Sequence, residues 1–310
     1  MNGFASIDLV WLMMASVFSY AVYVKVFKKL GQTERKEGVA SHQKKNGTIT
    51  MGGILFIVLP LFFIPMTPAC RLIVWVVLAF GILGVIDDVK IILLKKNDGL
   101  SPTMKLLFEV LLSGLVFYLY LKEDLPTSLS LFSFSLELKW FYGLLILWLL
   151  TASANAWNLM DGIDGLCSGC SLLIGIGLMV IAVSKQKWDV FYLLLCFQLV
   201  LFVFWCFNLP KAFLFMGDVG SLALGGMYAM TSLYLDCLGP FIIMSGLFIF
   251  ETLSVILQVF YFKRTKGKRL FKMAPFHHHL ELCHFPEIGI DLLFYLIQFF
   301  LIFLGWMAYF

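Results

Sequence analysis

The chain has 310 residues, of which 61% are hydrophobic and only 14% charged, and its mean hydropathy is +0.93. Soluble domains run at roughly 45–50% apolar and about 25% charged, so a water-soluble globular protein is excluded and an integral membrane protein is indicated. The net charge of +4 discriminates nothing until it is assigned to sides of a membrane, and the seven cysteines, odd in number and mostly in or beside apolar runs, do not make a disulfide framework.

A membrane-crossing helix needs about 20 mainly apolar residues. That length picks out ten segments of a single domain covering 1–310: 5–25, 50–67, 70–89, 103–122, 140–157, 163–183, 189–207, 219–235, 240–262 and 289–310. The first, IDLVWLMMASVFSYAVYV, has no basic residue before it and no small-residue cleavage site after it, and is expected to be a retained span, not a signal peptide. The second is short and carries Pro60 and Pro65, and the sixth and eighth are rich in glycine. Between the fourth and fifth, SLSLFSFSLEL (128–138) alternates polar and apolar with period two, which predicts a short β-hairpin. The expected fold class is an all-α polytopic membrane protein with about ten transmembrane helices and one small hairpin.

Short cytoplasmic loops collect lysine and arginine. Lys25, Lys28, Lys29, Arg35, Lys36, Lys44 and Lys45 follow the first span, Lys90, Lys95, Lys96 and Lys105 surround the third-to-fourth connection, Lys211 follows the seventh, and Lys263, Arg264, Lys266, Lys268, Arg269 and Lys272 follow the ninth. Only Arg71, Lys122, Lys139, Lys185 and Lys187 fall in the other loops. The basic loops are therefore expected in the cytoplasm and both termini outside, with the hairpin in an external loop. The same side receives HQKKNGTITMGG (42–53), GVIDDVK (84–90), NAWNLMDGIDG (155–165), NLPKAFLFMGDVGS (208–221) and MAPFHHHLEL (273–282), so nearly every group polar enough for chemistry gathers on one face.

In NAWNLMDGIDG, Asn155, Asn158 and Asp161 recur at i, i+3 and i+6 along one helical face, and Gly162 and Gly165 loosen the backbone around Asp164. Helix-end capping favours the same residue types, but two carboxylates and two amides exceed what capping requires. Asp87 and Asp88 lie at the C-terminal end of the third span, where the helix macrodipole opposes acids, so a cation is expected nearby: Lys90, Lys105 or a metal. As helix neighbours about 100° apart, they are not expected to share one target. Asp218 precedes the eighth span, with Ser221 three residues on; it suits either helix capping or a site for anions and their bound cations.

His277, His278 and His279 cannot all serve one metal from regular structure, which disfavours zinc; beside RTKGKRLFK they suit phosphate oxygens. Cys167 and Cys170 match C-x-x-C but sit in a small-residue apolar helix, where packing is the better reading. Glu109 and Glu251 fall inside spans four and nine, where an acid is expensive, and either line a lipid groove or tie helices together. Acids, lysines and histidines together at the mouth of a membrane bundle fit phosphate groups bridged to carboxylates by a divalent cation. A cation-coupled transporter would place its acids near the bilayer midplane, where only Glu251 lies, and a scaffold without chemistry leaves the acid clusters unexplained.

These five stretches resemble the motifs of the polyprenyl-phosphate N-acetylhexosamine-1-phosphate transferase superfamily, in particular its phospho-N-acetylmuramoyl-pentapeptide transferase family. KKNGTITMGG resembles K-x-GTPTMGG, GVIDDVK the paired-aspartate motif, NAWNLMDGIDGL the pattern NAxNLTDGLDGL, NLPKAFLFMGDVGSLALGG the pattern N-x-x-PA-x-x-FMGDxGSLALGG, and RLFKMAPFHHHLEL the pattern RIFxMAPxHHHxEL. Ile49 stands where the family has proline and Met160 where it has threonine. The family's lysine three residues after the second aspartate falls on Ile91, with Lys90 one place early.

The resemblance implies transfer of phospho-N-acetylmuramoyl-pentapeptide from its UDP carrier to undecaprenyl phosphate with Mg2+, in a bacterial cytoplasmic membrane, with homodimers a common assembly and no nucleic-acid partner. By motif position it implies Asp218 as the metal ligand. Asp161, Asp164, Asn158, Lys45 and Phe215 would hold the uridine diphosphate end, with Phe215 stacked on uracil. Lys105, His277, His278 and His279 would contact phosphates or sugar, with Thr48, Asn155 and Asn208 in the substrate-binding set. Asp87 is the family's candidate to activate the lipid phosphate, supported by Asp88. A phosphate monoester has its second pKa near 6, so that nucleophile is mostly deprotonated already, and electrostatics are expected to outweigh general-base work.

Overall fold

The computed structural model describes residues 6–27, 48–94, 99–131 and 134–310. The chain is mostly helical: α1 (Ser6–Val26), α2 (Gly53–Val58) running into a 3-10 turn (Leu59–Phe62), α3 (Pro68–Leu94), α4 (Pro102–Lys122), α5 (Tyr142–Met160), α6 (Leu166–Ser184), α7 (Trp188–Asn208), α8 (Gly217–Tyr234), α9 (Leu238–Met244), α10 (Gly246–Arg264), α11 (Phe276–Glu281) and α12 (Glu287–Tyr309). The expected hairpin is present: β1 (Ser128–Leu131) pairs antiparallel with β2 (Phe134–Glu137), with Ser128 opposite Glu137.

Among the described residues eight helices are long and apolar enough to cross a membrane: α1, α3, α4, α5, α6, α7, α10 and α12. Three of the ten expected segments take another form. The second is helical only over Gly53–Phe62, since proline lacks the amide hydrogen a continuing helix needs and Pro60 and Pro65 fall where it would continue. The eighth is α8, whose residues from Val219 to Leu233 are all buried; enclosed by protein, it needs no greasy exterior and keeps its serines and glycines. The ninth breaks at Ser245, between α9 and α10.

Local chemistry sets the helix starts. Ser101 caps α4 by accepting the Met104 N–H at 3.3 Å, with Pro102 in the first turn, where its missing N–H costs nothing. Small residues then let helices approach closely, as in membrane bundles where packing replaces hydrophobic drive: a Cβ on Gly84 of α3 would lie 2.4 Å from the Asp218 carbonyl carbon of α8. This contact brings the last turns of α3 against the first turn of α8.

One end of the bundle gathers the C-terminal ends of α1, α3, α5 and α7 with the N-terminal ends of α4, α6 and α8. The opposite end is tied by Thr67 to Asp189 (2.7 Å), Arg71 to Glu123 (2.9 Å) and the Ser130 N–H to Asp236 (3.1 Å). The apolar exteriors of α1, α4, α10 and α12 face outward, with Phe18, Leu111, Phe260 and Leu296 among the exposed side chains.

Candidate active site

Asp218 stands in the first turn of α8, where Gly217 turns the chain with φ +77°. It does not cap the helix: the cap position is Met216, with no side-chain hydrogen bond. Its carboxylate instead accepts from Lys105 Nζ at 2.6 Å and from Asn158 Nδ2 at 2.7 Å, and Asn158 also reaches Ser221 Oγ at 3.1 Å. Lys105 comes from the first turn of α4, Asn158 from the last turn of α5, and Ser221 lies one turn along α8.

The paired aspartates diverge as neighbours on a helix must. Asp87 is buried, accepts the Leu100 N–H and meets the carboxyl group of Asp218. Asp88, also buried, accepts the Val219 N–H at 3.2 Å, and a Cβ on Gly217 would lie 2.5 Å from its Oδ2. The acid that its own helix C-terminus disfavours thus sits at the N-terminus of α8, where the macrodipole and free N–H groups favour it. Lys105 is the nearby cation. Lys90 donates to the Gly99 carbonyl at 2.9 Å, holding the connection to α4.

The Asn/Asp run divides its duties. Asn155 donates to Glu109 Oε2 at 2.6 Å, so Glu109 ties α4 to α5. Asp161, just past the end of α5, is half-buried, and burial first, then the carboxylates of Asp218 and Asp164, push its pKa up to about 8. Asp164 is buried and accepts the Ala212 N–H at 2.9 Å. Asn208, buried at the end of α7, accepts from the Gly165 N–H (3.1 Å) and Ser168 Oγ (2.9 Å) and donates to the Leu214 carbonyl (2.9 Å). Its amide thus braces two loops against each other.

A parallel bridge joins Ile49 to Leu214, with the Phe215 N–H on the Ile49 carbonyl (2.7 Å) and the Gly52 N–H on the Phe215 carbonyl (2.9 Å). This places Thr48 beside the segment carrying Phe215, both partly exposed. Lys45 lies outside the described residues. The three histidines take different polar partners: His277 is wholly buried, its Nε2 filling the space a Cβ on Gly162 would need and its ring 4.2 Å from that of His278; His278 Nδ1 pairs with Glu281 at 2.6 Å; His279 Nδ1 accepts the Lys272 N–H at 3.1 Å and packs on Phe276. The structure therefore brings Asp87, Asp88, Lys105, Asn158 and Asp218 into one cluster, with Asp161 nearby, while Asn155, Asn208 and His279 are engaged with protein groups.

The sequence reading missed the supports. Tyr20 and Tyr23 of α1 donate to the Gly52 and Thr50 carbonyls, each at 3.2 Å, and Tyr295 of α12 donates to the Gly165 carbonyl at 2.7 Å. The available signal was a hydroxyl-bearing ring in an apolar helix, which when buried needs a partner; its target, loops far away in sequence, had none. All seven cysteines are free.

Among the described residues no three acid, imidazole or thiol side chains converge as a ready-made metal cage. Asp87 and Asp218 nevertheless meet carboxyl to carboxyl, and two acids in contact need a proton or a cation between them. Mg2+ takes oxygen ligands, commonly one or two carboxylates with waters and substrate phosphates. The donor set fits that ion.

Residues 70–236 match the family described as Glycosyl transferase family 4. A phospho-N-acetylmuramoyl-pentapeptide-transferase of Enterococcus hirae is 39% identical over 283 residues, covering 87% of each chain. The chain belongs to the phospho-N-acetylmuramoyl-pentapeptide-transferase family. Transferases of that name from Enterococcus faecalis (38% over 300 residues, 90% of this chain and 92% of the relative) and Bacillus subtilis (38% over 269 residues, 84% and 83%) agree. The family's matched core, 70–236, contains the aspartate pair, the Asn/Asp run and Asp218, and the histidine segment lies beyond it.

Proposed function

We propose that this chain transfers phospho-N-acetylmuramoyl-pentapeptide from UDP to undecaprenyl phosphate, giving lipid I and UMP, at the cytoplasmic face of a bacterial membrane. The observation that carries the reading is Asp218, held by Lys105 and Asn158 at the head of a buried helix and met by the Asp87 carboxyl, at one end of an apolar bundle. Acids alone repel a diphosphate and lysines alone bind one without selecting it; their combination at a lipid boundary suits phosphoryl transfer between a soluble donor and a lipid acceptor.

In the reaction an oxygen of the lipid phosphate bonds to the sugar-bearing phosphorus, and the bond to UMP breaks, UMP leaving with the electron pair. The main barrier is bringing two anions together. Asp218, with Asp87 beside it, would hold Mg2+, which supplies positive charge against phosphate oxygens. Lys105 adds a fixed ammonium at the same point, with one donor left over after its bonds to Asp218 and Asn158. Phe215, Thr48, Asp161 and Asp164 form the nucleotide side, to which motif position alone adds Lys45, and the segment carrying His277 and His278 borders the phosphate or sugar side. The lysine and arginine bias supports a reading with this end in the cytoplasm and the start of α1 and end of α12 outside, in which α2, α8 and the α9–α10 pair complete ten passages. A homodimer is part of the proposal by family analogy.

The test is UMP release by purified protein in detergent with undecaprenyl phosphate and either UDP-MurNAc-pentapeptide or UDP-GlcNAc, with and without Mg2+. Mg2+-dependent release from the first donor alone is expected. Release from UDP-GlcNAc alone would assign the chain to the N-acetylglucosamine-1-phosphate relatives, and no release from folded protein would remove the transferase reading.

A further inference from the structure

Glu251 is a fully buried carboxylate within α10, a helix that otherwise shows the membrane apolar side chains such as Phe250, Leu253 and Leu257. An acid at such a place is costly unless its oxygens are satisfied. Both are: Oε2 accepts the Phe276 N–H at 2.6 Å and Oε1 the His277 N–H at 3.1 Å. The His277 ring then stands with Nδ1 3.5 Å from Glu251 Oε2 and Nε2 against Gly162. Neither ring nitrogen has a hydrogen-bond partner among the described residues, although the ring is wholly buried. One turn before Glu251, Phe248 stacks on Trp157 of α5 at 3.9 Å, next to Asn158, so the helix that carries the carboxylate is itself fixed to the wall that holds Asp218.

We propose that Glu251 is a positioning residue: through the backbone and ring of His277 it holds the histidine segment against the Asp161–Gly165 loop, fixing the gap into which phosphate or sugar must fit. The inference rests on the proposed function for its catalytic consequence. The contact with Gly162 makes the fit specific, because the ring occupies the space that any other residue's Cβ would need. The backbone grip suits an acid: two N–H groups converge on one side chain, and a carboxylate gives each its own charged acceptor oxygen, where an amide would present one oxygen and one NH2.

The closing experiment compares wild type, Glu251→Gln, His277→Asn and the double variant in detergent, by steady-state UMP release, thermal unfolding and mass spectrometry after diethyl pyrocarbonate. Glutamine keeps the shape but turns one acceptor into a donor facing an N–H. Expected are a kcat loss of about 10- to 100-fold for Glu251→Gln, as small misplacement at a reacting centre produces, with KM for both substrates within about threefold and an unfolding midpoint lowered by only a few degrees, as one unmatched buried N–H dictates. Because Glu251 acts through His277, the double variant should be no slower than His277→Asn alone, and His277 should become carbethoxylated in Glu251→Gln while staying protected in wild type. Near-wild-type kcat in Glu251→Gln, or losses that multiply in the double variant, would overturn the proposal. Should Glu251→Gln not fold, Gly162→Ala displaces the same ring from its other side, and an unaltered kcat there overturns it equally. A wild type that releases no UMP defeats the proposed function instead, and the labelling of His277 still decides the positioning.

Discussion

Replacing Lys105 by methionine removes one ammonium from the centre of the site while keeping most of the stem. The Lys105–Asp218 pair is 2.6 Å long, and its side chains are 13% and 22% exposed. Exposed pairs contribute about 0–1 kcal/mol, whereas cutting a buried one costs about 3–5 kcal/mol. This pair lies between, and the loss also leaves Asp218 facing Asp87 and Asp88 uncompensated, so about 2 kcal/mol is expected. For a chain of this size that is a fall of about 3 °C in the unfolding midpoint. On the proposed function a divalent cation would replace the missing charge, because it would bind the folded cluster and not the unfolded chain. The assay is thermal unfolding in detergent, with EDTA and then with Mg2+. Lys105→Met should be less stable than wild type in EDTA and should gain more than wild type from Mg2+. Equal midpoints in EDTA, or equal gains from the cation, would refute the reasoning that lysine and metal share one electrostatic task.

Further outcomes follow from the same geometry. With saturating substrates, Asp218→Ala should lose more activity than Asp87→Asn if, as proposed, charge neutralisation outweighs proton removal from a phosphate already ionised; near-equal losses in folded protein would count against that ranking. Asp161 has its pKa pushed from 3.8 to about 8, so between those values the folded state keeps a proton the unfolded state has lost. Stability of the substrate-free, metal-free protein should therefore fall as pH rises through that window, and Asp161→Asn should flatten the slope in melts taken from about pH 5 to about pH 8. Gly217→Ala forces a side chain into φ +77° and against Asp88, a cost of about 1–2 kcal/mol for the backbone alone, readable as a lower midpoint. Phe215→Ala should raise the KM for the UDP donor about 10-fold or more with little change in kcat, as base stacking of about 1–3 kcal/mol predicts.

The membrane class, the hairpin at 128–138 and most helix positions were legible in the sequence because hydrophobic run length and alternation are local properties of the chain. The motifs were legible for a related reason: an acid or amide in an apolar chain stands out wherever it falls. Less visible was what covers each helix. The eighth segment read as one more span, yet α8 is enclosed by protein, and its glycines serve close approach. The capping reading of Asp218 also failed, because its carboxylate found Lys105 and Asn158, residues 113 and 60 positions away in the chain.

By itself the sequence determined that this protein lives in a bilayer, that its polar chemistry gathers at one end of the bundle, and which residue types carry it. Only the tertiary structure decided how those residues divide their work. Asp88 could be placed at a favourable helix end only once α3 met α8, Glu109 and Glu251 became braces only once α5 and α11 lay beside them, and Asn208 turned inward only between two loops. Pairing between distant segments depends on how close their backbones can come, and that distance belongs to the packed bundle.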